Sequence, residues 1–184
     1  IEPRYSAFNP QSEARGTKWI SSNPLQNENF SCTAYYFGRE LRRKLNVPVA
    51  LIKCAWGGTV IQAWIPAQGY ELTAELKADF ESQRKSFNQQ MKSWNQKEVD
   101  QKFINDLKIW NTKKAQGASD QQNPRPRKQR GPHQNTELPG TVFNGMLSGI
   151  AGYAMKGVIW YQGETNAQRL AQNYGNYFSA LIKS

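Results

Sequence analysis

Apolar positions at helical spacing open the ordered part of the chain: Phe30, Ala34, Phe37, Leu41 and Leu45 follow one another at steps of four, three, four and four. That stripe predicts an amphipathic helix ending near Asn46, ahead of Val47 and Pro48. The continuous apolar run Val49–Ala50–Leu51–Ile52 comes next and predicts a buried parallel strand. It leads into Trp56–Gly57–Gly58–Thr59, where paired glycines permit a tight turn with exposed amides. From Leu72 to about Lys114 the chain turns polar, yet Leu76, Phe80, Phe87, Met91, Trp94, Phe103, Leu107 and Trp110 recur at near-helical intervals and predict two helices with a packed stripe. Residues 116–140, rich in Gly, Pro, Gln and Arg, predict a long loop, and residues 1–29 an irregular surface segment.

Order returns in the last third. Val142, Met146, Ile150 and Ala154 share one helical face, while Gly145, Gly149 and Gly152 share another and suggest close approach of a neighbour. Gly157–Val158–Ile159–Trp160–Tyr161 reads as a second buried strand, turning at Gln162–Gly163–Glu164. Thr165–Asn166–Ala167–Gln168 has the form of a capping box, opening a helix that buries Leu170, Tyr174, Tyr177, Phe178 and Leu181. Helix, strand, glycine turn, insert, helix, strand, turn, helix is the rhythm of an α/β fold, an open parallel sheet with helices on both faces.

With 184 residues the chain has room for one core. No apolar run is long enough for a membrane span. The net charge of +10 is concentrated: Lys108, Lys113, Lys114, Arg125, Arg127, Lys128 and Arg130 face only Asp120 between positions 108 and 130. Such a patch attracts acidic glycans, nucleic acids or anionic surfaces, although a solvated, partly disordered loop is the plainer reading. Cys32 and Cys54 form no disulfide framework or metal motif, and both are expected as buried thiols within apolar segments.

The two glycine-bearing loops, 56–59 and 162–166, would lie at the C-terminal ends of the two strands, the edge where such sheets place ligands. Gly58 offers a backbone amide and Gln162 a side-chain amide, the parts of an oxyanion hole. His133 is the only histidine and sits in the Pro/Arg loop without a partnered Asp, a poor base. Ser31 stands at a helix start without a strained turn and is a poor nucleophile.

At these residues the chain resembles the sialate O-acetylesterase-like carbohydrate acetylesterases of the SGNH hydrolase superfamily. The stretch FSCTAYYFGRELRRKLNVPVALIKCAWGGTVIQAWIP at 30–66 looks like that family's second block, and LPGTVFNGMLSGIAGYAMKGVIWYQGETNA at 138–167 like its third. The resemblance implies a flavodoxin-like three-layer fold with a parallel sheet, one partial domain over 1–184 incomplete at both ends, with a helical and loop insertion at about 70–138. It implies that the Gly57–Gly58 turn supplies an oxyanion-hole amide, Gln162 the side-chain donor, and that Gly57, Thr59, Glu164 and Asn166 shape the site or contact substrate. The expected substrate is an O-acetylated carbohydrate in a secreted, periplasmic or lysosomal setting, with no cofactor, no metal and no nucleic acid. Neither the family's GQSN-like serine block nor its DxxH block occurs in the chain. The serine is expected before Ile1 and the histidine after Ser184, which makes the chain an internal piece. A non-catalytic carbohydrate-binding or interaction module derived from the same fold is the alternative.

Overall fold

A computed structural model describes residues 6–13, 18–132, 135–169 and 171–184. They divide into two units, Ile1–Phe80 with Thr136–Ser184, and Glu81–Asn135.

In the first unit the predicted N-terminal helix forms as α2 (Cys32–Leu45), after a single turn, α1 (Pro24–Asn27). Ser31 is its N-cap, accepting from the Ala34 amide at 3.3 Å, so its hydroxyl serves the helix end. Asn46 closes the helix in the left-handed conformation at φ 53°, its N–H donating to the Arg42 carbonyl. Short 3-10 turns follow at Ile61–Trp64 and Ala67–Leu72, then α3 (Ala74–Ser93). Late in the chain come a π-helical turn, Phe143–Leu147, a 3-10 turn, Ser148–Ile150, and the helices α5 (Glu164–Gln168) and α6 (Tyr174–Lys183).

Two clusters make the core, and both draw on residues 60–65. In one, Ile61, Ile65, Tyr70 and Leu76 meet Tyr177 and Ala180 of α6, with Phe80 stacked on Tyr70 at 4.7 Å. In the other, Val60, Ala63 and Trp64 meet Val142 and Met146. The 3-10 turn at 61–64 therefore faces apolar groups on both sides, and all four of its residues are buried. Tyr70 donates to the Gln62 carbonyl at 2.7 Å, and burial pushes its hydroxyl far above the ordinary phenol range. Residues 7–11 lie along the π turn, with Ala7 N–H donating to the Thr141 carbonyl and Ser148 Oγ donating to the Gln11 carbonyl.

The parallel sheet is the main correction. Among the described residues there is no strand, so the flavodoxin-like three-layer α/β architecture is not formed. Residues 49–52 and 157–161 take no regular secondary structure, and no backbone hydrogen bond pairs them with each other or with another described segment. An apolar run specifies a strand only where a neighbour supplies the ladder and covers its faces. Here Val158 and Tyr161 remain 78% and 79% exposed.

Smaller departures have local causes. The helix expected over 142–154 stops at Ile150, because the wide π turn at 143–147 shifts the phase; Met146 and Ile150 stay buried while Ala154 lies exposed beyond the last turn. A Cβ on Gly152 would meet nothing within 4 Å, so no neighbour approaches there. The capping box at 165–168 does not form: α5 begins one residue earlier, at Glu164, with Gly163 as an N-cap that makes no side-chain hydrogen bond. Leu170, expected in the closing helix, lies outside the described residues, and so does His133.

Cys32 is exposed, against the expectation of a buried thiol, because the start of α2 is uncovered. Cys54 is half-buried beside the second core cluster, and burial pushes its thiol up to about 11. Raising an acid's pKa on folding favours the protonated folded form, so this contribution is present below the unfolded thiol's pKa and is lost as pH rises from about 9 towards 11. Iodoacetamide at pH 8 is expected to label Cys32 promptly and Cys54 only after denaturation; equal labelling rates for both would contradict the burial of Cys54.

The second unit holds the rest of α3, α4 (Gln96–Ala115) and the following loop. Asn95 caps α4 by accepting from the Lys97 and Glu98 amides. The stripe expected to be packed here is only partly so. Phe87 is buried, whereas Phe103, Leu107 and Trp110 are half-buried and no residue of α4 is fully so.

Candidate functional site

Two loops distant in sequence, 56–62 and 162–166, are joined by a network of carboxamides. Asn166 is fully buried, and its Oδ1 accepts from the Ile61 backbone N–H at 2.9 Å. A backbone N–H can only donate, which fixes the orientation of this carboxamide. Its Nδ2 therefore donates outward, to Gln62 Oε1 at 3.0 Å. Gln162 Nε2 donates to Asn166 Oδ1 at 2.7 Å and to the Thr59 carbonyl at 3.1 Å, two oxygens that can only accept, so its orientation is fixed as well. The Tyr174 hydroxyl, from the first turn of α6, lies 2.9 Å from the Gln162 carbonyl and 3.1 Å from its Oε1, and receives the Trp160 indole N–H at 3.2 Å.

Below this network Gln62, also buried, accepts on its backbone oxygen from the Tyr70 hydroxyl and from the Gly140 N–H at 3.0 Å. The Gly140 amide reaches it because the residue adopts φ 74°; a Cβ there would sit 3.2 Å from the Ile65 carbonyl. No buried side-chain N or O among the described residues is left without a partner. A satisfied buried polar network resists rearrangement, since each lost partner strands a desolvated group.

The turn 56–59 is held from inside. Thr59 is buried, its Oγ1 donating to the Trp56 carbonyl at 2.8 Å and accepting from the Trp64 indole at 2.9 Å. Both capacities of that hydroxyl are used, so it is no nucleophile. Gly58 has φ 80°, the value the third residue of a type II turn requires, and only glycine takes it without strain. Gly57 and Gly58 are exposed, their N–H groups donate to no described atom, and Cβ atoms added at either would meet nothing within 4 Å. The result is an open pair of amides on a turn whose underside is clamped.

Each residue singled out in the sequence can now be placed. Gly57 and Gly58 face solvent, Thr59 and Asn166 are interior struts, Gln162 bridges the loops with both amide protons engaged, and Glu164 is exposed at the first position of α5. Glu164 meets no cation among the described residues. Gln62, Tyr174, Tyr70 and Gly140 complete the arrangement, and no sequence motif marks Tyr70, Gly140 or Tyr174 as part of it. For Gln62 a signal existed: it is the one polar side chain within the apolar run Val60–Ile65. Among the described residues no group of three or more His, Cys, Asp or Glu could hold a metal ion.

No family model matches the chain. Known proteins do. Sialate O-acetylesterase of Rattus norvegicus is 26% identical over 155 residues, and that of Homo sapiens 27% over 153; each alignment covers 83% of this chain. The chain is similar to sialate O-acetylesterases. It spans 24% of the rat enzyme's length and 20% of the human enzyme's. Among solved structures, a carbohydrate acetylesterase from Xanthomonas citri superposes on 98% of the chain with a TM-score of 0.61 at 25% identity, over 28% of its own length. The likeness to sialate O-acetylesterases thus takes in most of this chain and a minor part of each relative.

Proposed function

We propose that the chain carries the oxyanion side of a serine esterase that removes O-acetyl groups from carbohydrates. The observation that supports this reading is the exposed, unpaired Gly57–Gly58 amide pair on a turn whose next residue, Thr59, is hydrogen-bonded to the Gln162–Asn166 pair. Preorganised donors aimed at developing negative charge are what acyl transfer demands. The reaction begins when a serine oxygen adds to the acetyl carbonyl and its proton passes to a histidine. The oxyanion is received by the Gly58 N–H and by Gln162 Nε2, which exchanges its longer bond, to the Thr59 carbonyl, for the new acceptor. Collapse expels the sugar oxygen, which takes the proton from the histidine, and water then releases acetate from the serine. The serine and histidine belong, in this reading, to polypeptide outside these 184 residues. Gly57 and Glu164 border the substrate side, and the buried Thr59 and Asn166 shape it from within. A secreted, periplasmic or lysosomal setting fits such a substrate, and no described helix is long and apolar enough to cross a membrane.

The test is acetate release from O-acetylated sialic acid and acetylated xylo-oligosaccharides by the full-length protein, alongside Gly57→Val. A Cβ at position 57 has no neighbour within 4 Å, so the branched side chain has room there while intruding on the approach to the amides. Hydrolysis by the wild type, with kcat/KM at least about tenfold lower in the variant at unchanged Tm, is expected. Absence of acetate release from every such ester would refute the reading.

A further inference from the structure

The Glu81–Asn135 unit holds twelve Lys and Arg against five Asp and Glu, so +7 of the chain's +10 resides in these 55 positions. Its loop is tied down. Running back along α4, Asp120 pairs with Lys114 at 2.5 Å, and Asn123 exchanges hydrogen bonds with Trp110, its carbonyl accepting from the indole at 2.9 Å. Arg125 lies over the Trp110 ring at 5.8 Å, and Lys128 pairs with Asp100 at 2.8 Å. Lys128 and Gln96 together hold the Asp100 carboxyl below its usual range. These ties reach from residue 114 to residue 100 of α4, roughly 20 Å along the helix axis. Pro124 and Pro126 keep the strap extended, since each fixes its own φ and biases the residue before it away from helix.

The ties leave cations over. Lys108, Lys113, Arg127 and Arg130 are exposed and meet no acidic side chain among the described residues, and Arg125 keeps its charge over an uncharged ring. We propose that this strap and α4 form a docking surface for a linear anionic polysaccharide. Because the ties run from residue 114 back to residue 100, the strap's cations are distributed along the length of α4, which suits a repeating polyanion, and the guanidinium fork suits carboxylate and sulfate geometry. A single-stranded nucleic acid would draw on stacking platforms as well. Between 108 and 130 the only aromatic ring is Trp110, which is half-buried, beneath Arg125, and has its indole N–H engaged. The choice of a saccharide rests on the carbohydrate reading above; the surface itself does not.

The experiment titrates the full-length protein with linear, unacetylated polygalacturonate over a range of salt concentrations, comparing the wild type with Lys113→Gln/Arg127→Gln/Arg130→Gln. None of the three side chains takes part in the ties that hold the strap. Salt-sensitive binding, at least about tenfold weaker in the variant and with a shallower salt dependence, is expected, with the melting temperature unchanged. No binding, equal affinity in both proteins, or duplex DNA binding as tightly as polygalacturonate would overturn the proposal. Polygalacturonate carries no acetyl ester, so failure to bind leaves the deacetylation reading standing, and failure to release acetate leaves this result standing.

Discussion

Gln162→Ala should lower kcat for acetyl-ester hydrolysis by about 10²- to 10³-fold, the usual cost of removing one oxyanion donor. Its stability cost should be small, about 1 kcal/mol. Gln162 is only partly buried, and Asn166 Oδ1 keeps the Ile61 N–H when the glutamine is gone. A clamp without a catalytic role would show the opposite balance, with stability and activity falling together and no selective loss in kcat. Steady-state kinetics and thermal melts on the same preparation separate the two, and Gln162→Glu sharpens the contrast, because a carboxylate cannot donate to either the Thr59 carbonyl or an oxyanion.

Asn166→Ala is expected to reverse those proportions. The substitution strands the Ile61 N–H and Gln62 Oε1 inside the fold and removes one of two acceptors of Gln162. At about 1–3 kcal/mol for each stranded buried group, a loss on the order of 3 kcal/mol follows. That corresponds to a Tm lower by roughly 6–12 °C for a domain of this size. A chemical-denaturation curve within about 0.5 kcal/mol of wild type would show that the buried carboxamide does not hold the two loops together.

How far the sequence foretold this arrangement depends on where the deciding information lies. Helix α2 was legible because its stripe, its Ser31 cap and its Asn46 stop are all local. The segments 49–52 and 157–161 carry strand-like composition, but pairing is decided by a neighbour, which local pattern does not contain. The end of the 142–150 helix is not legible locally, because a single π turn moves every later residue around the axis. Residue types and resemblance single out both loops with Gly57, Gly58, Gln162 and Asn166, and the structure joins these two loops by hydrogen bonds. Which of them face solvent and which are struts is not legible in the sequence, since Asn166 owes its interior role to Gln62 and Ile61, more than a hundred positions away. The saturation of Thr59 by Trp56 and Trp64 likewise depends on the turn's tertiary packing, which the local sequence does not contain.

The most direct test of the proposed oxyanion site is an amide-resolved NMR titration of ¹⁵N-labelled protein with O-acetylated sialic acid or a stable phosphonate mimic of the tetrahedral intermediate. Saturable shifts are expected at the Gly57 and Gly58 backbone amides and at the Gln162 side-chain NH₂, with the Asn166 side chain little moved. Saturable binding that leaves all three of those signals in place would contradict the proposed site.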